Sequence, residues 1–426
     1  ELVILIMKNN KNILSKKIFT PVIEFIKNKK LEKALKLLNE LSEKNVDQNT
    51  ILELKGLIYL KKQDWENSFL NYKRISDTKI NFEISNNIGV CLYKLGKFSK
   101  ASNYFKDAID KNNLYMPSYE NYCTTNKLLG KYDLSLKFGL QALEIMPNNI
   151  KIQNLLIDIL NFYNPKSCKD IIININNEIK QLSLDIKNND IIEEEDISYI
   201  LNKSEEILKK DNIIFNYPET QIFRKNTSNL NCERHLSIFT KHKIIPKFCF
   251  NCYKVQITLN NVLELIKLYF YFNKLNLKKN NIRKCVIELR KNILGNYKGY
   301  IFSQSINEAK EIKKFISLDL KNKKLEHNKI EIKHGCTEYY EEFKEYNTLD
   351  KNLQENLYKK EWVNIEDNYD KENLVKENNE ERVFNNTLNE FNLSDFLIIK
   401  NWLIYAKIIN DDSYKKICDF EIESNR

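Results

Sequence analysis

The fold of the N-terminal third is decided by the stretch Gly89-Val90-Cys91-Leu92-Tyr93-Lys94-Leu95-Gly96-Lys97-Phe98. The stretch starts with a small residue, has a second glycine seven positions later, and has an aromatic residue two positions after that. Ala101, Phe105 and Ala108 continue the pattern. Small and aromatic residues at these offsets indicate two helices that cross closely, because small side chains let the backbones approach and the rings fill the space beside them.

The same pattern recurs on both sides of this stretch, each time at nearly the same distance along the chain. The following unit consists of Cys123, Gly130, Tyr132, Ser135, Gly139, Ala142 and Pro147. The preceding unit consists of Gly56, Tyr59, Trp65, Ser68, Tyr72 and Ile75. A first unit, before that one, consists of Val22, Phe25, Leu31, Ala34, Leu38 and Leu41. No such unit buries its apolar face alone, so the recurrence predicts that the units stack.

These four units resemble the tetratricopeptide repeat (TPR) family from about Pro21 to Asn149. The resemblance implies an all-α solenoid of helical hairpins whose first helices line a groove that binds a protein or peptide. It assigns nine groove positions: Glu53, Leu57, Leu60, Asn86, Val90, Tyr93, Glu120, Thr124 and Lys127. They mix acidic, basic and apolar side chains, without the uniform basic ring that would indicate capture of an acidic peptide tail. The alternative is that they contact only solvent or a neighbouring domain.

Length and composition suit two or three domains rich in helix. The chain has 426 residues, of which 42% are hydrophobic and 30% charged, and only 8 glycines and 6 prolines, too few turn-forming residues for an all-β fold. We predict an N-terminal extension (1–20), a repeat array with a capping helix (21–188), a linker (189–231), a module (232–346), and a charged segment with a docking helix (347–426). Within the linker, residues 193–210 read as a helix with acidic residues at its start.

The module shows a different period, which indicates strands between helices. Alternating runs lie at 253–259, 282–289, 297–302 and 330–333, and helical runs lie at 262–275 and 306–320. The order β-α-β-β-α-β is that of ferredoxin-like α/β folds, so the predicted fold class is an all-α array followed by a ferredoxin-like module and a helical tail. In such a sheet the strands stand in the order 4-1-3-2.

This strand order predicts that distant cysteines meet at one edge of the sheet. The best four candidates are Cys249 and Cys252 before the first strand, Cys336 after the fourth, and Cys232 in the preceding connector. Four thiolates are a ligand set for zinc or for an iron–sulfur cluster. Cys285 and His235 are reserve ligands. Two other interpretations stay open: packing thiols, and a redox dithiol formed by the Cys-x-x-Cys pair.

Charge and aromatic residues in the module suggest a second partner class. From Glu233 to His334 there are 22 Lys and Arg against 8 Asp and Glu, whereas from Glu338 to Arg382 there are 14 acidic residues against 7 basic ones. Lys298, Tyr300 and Phe302 alternate on the third strand and look like the start of the RNP1 motif of RNA-recognition domains. The alternative is that these aromatic side chains belong to the core.

The module also resembles, from Ser228 to Tyr346, an uncharacterised cysteine-containing domain that follows TPR arrays in bacterial proteins. The residues that carry this resemblance are 245–249, 252–256, 283–285, 297–299 and 335–338. It implies no activity. In the tail, Trp362 is expected to pin the charged segment to the module, and Leu393-Ser394-Asp395 to cap an apolar docking helix.

Several functional classes lack their motifs. There is no glycine-rich phosphate loop, no nucleophile elbow and no zinc-protease motif, and the four histidines offer little for catalysis beyond a conceivable His334–Cys336 pair. No run is long and apolar enough for a membrane span, so we expect a cytoplasmic protein. The leading hypothesis is a TPR-mediated adaptor or scaffold with a cysteine-rich module that is a candidate metal-binding unit. The alternatives are an RNA-binding protein and a thiol- or metal-dependent enzyme of unknown substrate.

Overall fold

A computed structural model describes residues 13–44, 46–75, 77–165, 170–184, 192–210, 214–290, 293–323, 325, 327–349 and 357–422. The chain divides into two compact units: Glu1–Pro147 with Leu374–Arg382, and Asn148–Asn373 with Val383–Arg426. Residues 1–12 of the predicted N-terminal extension lie outside the described ranges, as does Cys168. Among the helices in those ranges, none is both long enough and apolar enough to cross a membrane.

The first unit contains the four predicted helical hairpins. They are α1 (Ile13–Lys27) with α2 (Leu31–Ser42), α3 (Gln48–Lys61) with α4 (Trp65–Lys73), α5 (Phe82–Lys94) with α6 (Phe98–Lys111), and α7 (Met116–Leu128) with α8 (Tyr132–Ile145). Every helix packs against the next one along the chain. The hairpins and their stacking are therefore confirmed.

The turns between paired helices repeat the sequence period in backbone geometry. Lys29, Gln63, Gly96 and Gly130 occupy the same place in successive hairpins, and their φ angles are 58°, 61°, 72° and 69°. A left-handed residue after a helix redirects the chain and lets the last carbonyls find hydrogen-bond donors. The repeat thus places the same turn at the same position in each hairpin, even where the residue is not glycine.

Close helix crossing explains the small residues of the pattern. A Cβ atom at Gly56 would lie 2.9 Å from the Tyr72 ring, and one at Gly89 would lie 2.5 Å from the Phe105 ring. Both rings are at most 1% exposed. Any larger residue would push the second helix of the hairpin away from the first, which would open the packed core.

A short helix from the tail completes the first unit. The charged segment predicted from residue 347 contains α16 (Val375–Glu380), whose Glu377 and Asn378 backbone packs against the Gly96 turn. The Glu381 carboxylate accepts a hydrogen bond from the Ser99 backbone N–H in the first turn of α6. An acidic group is favourable at that end of a helix because it complements the helix dipole.

The second unit surrounds its sheet with helices from three parts of the chain. Before the sheet come α9 (Ile150–Leu160), α10 (Ile171–Leu184) and α11 (Glu194–Lys210), and α12 (Cys232–His242) lies between its first two strands along the chain. Within it are α13 (Val262–Lys274) and α14 (Ile306–Asn322), and after it α15 (Glu361–Glu372) and α17 (Leu393–Ile408). The predicted array extended to residue 188, whereas the two compact units divide between Pro147 and Asn148.

The sheet has five antiparallel strands, in the order β1-β3-β4-β2-β5. They are β1 (Gln221–Arg224), β2 (Tyr253–Leu259), β3 (Arg283–Ile287), β4 (Tyr297–Ser303) and β5 (Lys329–His334). The four predicted strands are β2 to β5. The prediction missed β1, which we had placed in an extended connector. It pairs with β3 from Gln221 opposite Val286 to Arg224 opposite Arg283, and its short run shows no clear period.

The tail packs on this unit as a buried helix. Six apolar residues of α17 are at most 4% exposed: Leu393, Phe396, Ile398, Ile399, Trp402 and Leu403. The predicted cap is corrected, since the Asn392 side chain accepts from the Asp395 backbone N–H and Asp395 itself is buried. Trp362 in α15 is 6% exposed and its ring lies 5.6 Å from that of Phe343. Residues 339–346, predicted as one helix, form two 3-10 turns, Glu338–Glu341 and Lys344–Asn347.

Candidate functional sites

The nine predicted groove positions lie on α3, α5 and α7, the first helices of three consecutive hairpins. Thr124 is exposed, and six others are half-buried: Glu53, Leu60, Val90, Tyr93, Glu120 and Lys127. Leu57 and Asn86 are buried instead. Asn86 accepts a hydrogen bond of 2.9 Å from the Asn121 amide. It therefore joins neighbouring hairpins, a role that depends on stacking and that a single repeat does not reveal.

Two carboxylates stand out on this surface of the first unit. Glu83, in the first turn of α5, is 4% exposed, and its Oε2 has no hydrogen-bond partner. The Glu53 carboxylate on α3 lies within electrostatic range of the Glu83 carboxylate. Burial, followed by the charges of Glu83 and Asp47, raises the pKa of Glu53 to about 7. Sequence reasoning missed Glu83, since only the stacking of successive hairpins brings it within electrostatic range of Glu53.

The second unit brings together the four predicted cysteines. Cys232 starts α12, Cys249 lies in the 3-10 turn Lys247–Asn251, Cys252 precedes β2 and Cys336 follows β5. The interaction with Cys249 lowers the pKa of the Cys336 thiol. Cys336 and Cys232 both lie within electrostatic range of Cys252. Cys232, Cys252 and Cys336 therefore lie within electrostatic range of one another at one end of the sheet.

The packing around the thiols is tight. A Cβ atom at Gly335 would lie 2.5 Å from Cys252 Sγ, and the hydroxyl of Tyr339 lies 3.3 Å from Cys249 Sγ. Within the residues that the structure describes, however, no group of three or more His, Cys, Asp or Glu side chains is placed to hold a metal ion. The thiols are neighbours but are not arranged as a ligand set.

Two lysines lie beside the four thiols on the face of the sheet. Lys254 on β2 is 6% exposed and donates a 3.0 Å hydrogen bond to the Gly335 carbonyl. Burial lowers the pKa of Lys254 to about 8. Lys284 on β3 lies within electrostatic range of Cys336 and Cys232. These cations favour the negatively charged form of the cluster.

The reserve ligands lie elsewhere. Cys285 on β3 is 2% exposed and neighbours Arg224 and Asp395 rather than the other thiols. His235 stacks on Phe248, with ring centroids 5.2 Å apart, and burial lowers its pKa to about 4. The conceivable His334–Cys336 pair stays a prediction. The His334 ring stacks on that of Tyr346, with ring centroids 4.3 Å apart.

The three residues of the RNA-binding hypothesis belong largely to the interior. Lys298 is 1% exposed and Tyr300 is 6% exposed, and Phe302 is half-buried. The Lys298 ammonium lies 3.4 Å from a Glu288 carboxylate oxygen, and the Lys254 ammonium lies 4.8 Å from the Tyr300 ring centroid. Base stacking needs an exposed ring and phosphate binding an available cation. Lys298 and Tyr300 offer neither, so the packing favours the alternative that they belong to the core.

A buried ion pair, which sequence reasoning missed, links β1 to the tail. Arg224 donates to both carboxylate oxygens of Asp395 at 3.2 and 2.8 Å. The Tyr269 hydroxyl donates to Asp395 at 2.8 Å. Arg224 is 4% exposed and Asp395 1%. Because three donors surround one carboxylate, this arrangement holds β1 and the tail together and is not a reactive site.

Comparisons with known proteins give weak likenesses only. No protein-family model and no curated protein sequence matches the chain. Among solved structures, MamA is 16% identical, with 32% of this chain and 81% of MamA covered and a TM-score of 0.30. The Arabidopsis OM64 TPR domain is 17% identical, with 26% and 93% covered and a TM-score of 0.25. The second TPR domain of human RPAP3, solved with an HSP70 peptide, is 19% identical, with 26% and 97% covered and a TM-score of 0.25. TM-scores this low identify neither a family nor a function.

Proposed function

We propose that this protein is a cytoplasmic adaptor whose first unit is a TPR array that binds a protein or peptide across α3, α5 and α7. The supporting observation is that three first helices follow one another at one period and present half-buried side chains of mixed chemistry. Side chains that are half-buried in the free chain become fully buried when a partner covers them, and this supplies apolar contact without unfolding the array.

A peptide selection tests this function. Random peptides displayed on phage are selected on the immobilised full-length chain, and those recovered are measured by fluorescence anisotropy. Thr124→Arg places a long cation on the exposed face of α7. Its matched control is Asn103→Arg, which adds the same side chain at an exposed position on α6. We expect about tenfold weaker binding for Thr124→Arg alone. Equal binding to both variants, or no enrichment of peptides, would rule out the groove.

We also propose that the second unit is ferredoxin-like, with β1 as an added edge strand, and that its four thiols bind zinc. Counted within the module, β2 to β5 stand in the order 4-1-3-2, which supports the first part. For the second, Lys254 and Lys284 beside the cysteines would offset the net negative charge of a four-thiolate zinc site. Binding would require the cysteine side chains to change rotamer.

Elemental analysis of the anaerobically purified full chain tests the metal proposal. We expect about one zinc per chain, lost in the Cys249→Ser, Cys252→Ser double variant, with thiol titration showing the four cysteines protected only when metal is bound. If the analysis found iron and sulfide instead of zinc, the bound group would be an iron–sulfur cluster. No metal and freely titrating thiols would leave these cysteines as packing residues.

A further inference from the structure

The Glu83 carboxylate is the least satisfied acidic group among the described residues of the first unit. Its Oε2 is buried and has no hydrogen-bond partner, although Glu83 is only 4% exposed. A buried carboxylate oxygen without a donor is unfavourable, because it has given up water and gained nothing in return. Its place in the first turn of α5 gives some compensation through the helix dipole, but supplies no donor to Oε2.

A second carboxylate near Glu83 adds negative charge, so a bound cation would be more favourable there. Glu53 on α3 is half-buried and lies within electrostatic range of Glu83. Neither forms an ion pair with a described residue. Lys55 on the same helix has its pKa lowered by burial and then by Arg74. Two adjacent carboxylates without a cation repel each other.

The position of the pair points to a partner rather than to structure. Glu53 is a groove position of the second hairpin, and Glu83 lies one hairpin on, beside it. Residues that only stabilise the array, such as Asn86, are hydrogen-bonded across the stack. Glu83 Oε2 is not, so it is an acceptor that no described residue of the chain satisfies.

We propose that the Glu53–Glu83 pair receives one lysine or arginine side chain of the protein or peptide that the array binds. The inference rests on the proposed function and gives the partner's chemistry. Arginine fits best, because its five donors in a planar fork can reach two carboxylates at once. The ammonium of lysine offers three donors and satisfies the same charge. An acidic peptide tail would be repelled here.

The test uses the groove-dependent peptides, those that bind wild type but bind Thr124→Arg weakly. We expect one lysine or arginine at a common position in these peptides. Replacing that residue by norleucine should weaken binding to wild type by about tenfold to hundredfold, the usual effect of removing one side of a buried charge pair. The same replacement should change binding to Glu83→Gln by less than about threefold, because the pair has already lost one charge.

A matched variant separates the specific effect from general charge. Glu40→Gln removes one carboxylate from an exposed position on α2 and should bind the peptides as wild type does. Thermal unfolding of Glu83→Gln checks that the array is intact. Groove-dependent peptides without a basic position, or equal norleucine effects on wild type and Glu83→Gln, would overturn the inference and leave the adaptor function standing. The absence of any groove-dependent peptide would overturn both.

Discussion

Asp395 in the second unit and Glu83 in the first are both nearly inaccessible to solvent, yet only Asp395 has donors. Asp395 is held by both arms of Arg224 and by Tyr269, whereas Glu83 Oε2 has no partner. A sheet closed by a tail helix can collect complementary groups from distant parts of the chain. A stacked array has only its neighbouring hairpins, and Glu83 Oε2 finds no donor among them.

The largest expected effect comes from breaking the satisfied pair. Asp395→Ala leaves Arg224 buried without a counter-charge, so we expect the second unit to lose about 3–5 kcal/mol of unfolding free energy. Urea unfolding followed by hydrogen exchange of peptides from each unit measures this separately for the two units. Asp412→Ala, which removes one side of an exposed pair with Lys415, should cost no more than about 1 kcal/mol. Equal losses of unfolding free energy would mean that the buried pair stabilises the second unit no more than an exposed pair does.

The next effect is a pH dependence in the first unit. The pKa of Glu53 is about 7, above its ordinary value of 4.5, so the folded chain binds that proton more tightly than the unfolded chain. The resulting stability is present below pH 4.5 and is lost as pH rises through 7, by about 2–3 kcal/mol. We expect the unfolding free energy of the first unit to fall over this range.

Glu53→Gln isolates this contribution, because Glu83 and Asp47, the charged neighbours of Glu53, stay in place. The difference in unfolding free energy between wild type and variant, measured at pH 5 and at pH 8, should show most of the decline in wild type alone. A parallel decline in both proteins would place the titrating group elsewhere.

A smaller effect comes from removing one donor of three from Asp395. Tyr269→Phe keeps the ring, whose centroid lies 5.2 Å from the Arg224 guanidinium carbon, and deletes only the hydroxyl. We expect a loss of about 1.5 kcal/mol from the second unit, the contribution of one hydrogen bond to a charged acceptor. A loss as large as that of Asp395→Ala would mean that the tyrosine, rather than the arginine, holds the carboxylate.

The smallest effect should have the opposite sign. Glu83→Gln removes a buried charge that has no donor, so at pH 8 the first unit should keep its stability or gain up to about 1 kcal/mol. The measurement is the same unfolding experiment. A clear loss of unfolding free energy would show that Glu83 stabilises the array, and the contrast with Asp395 would disappear.

More of the structure could be predicted from the sequence for the array than for the module. The hairpins followed from the regular spacing of small and aromatic residues, since each residue's environment is repeated from unit to unit. The repeat pattern identified Glu53 as a groove position. It did not identify Glu83, because Glu83 is not among the positions assigned from the repeat. In the module, the alternating runs predicted β2 to β5 and the meeting of four cysteines, whereas β1 was missed because so short a strand carries too little periodicity.

The helical hairpins, the strand runs, the helix predicted at 193–210 and the apolar docking helix near the C-terminus could all be predicted from the amino-acid sequence. Each follows from a local period or a cap, and local patterns survive in a single chain. Three features depend on the tertiary structure. Lys298 and Tyr300 are buried, and Arg224 donates a hydrogen bond to Asp395 in a distant part of the chain. Glu53 lies within electrostatic range of Glu83. Burial and the pairing of charges depend on which surfaces meet, and no local pattern carries that information.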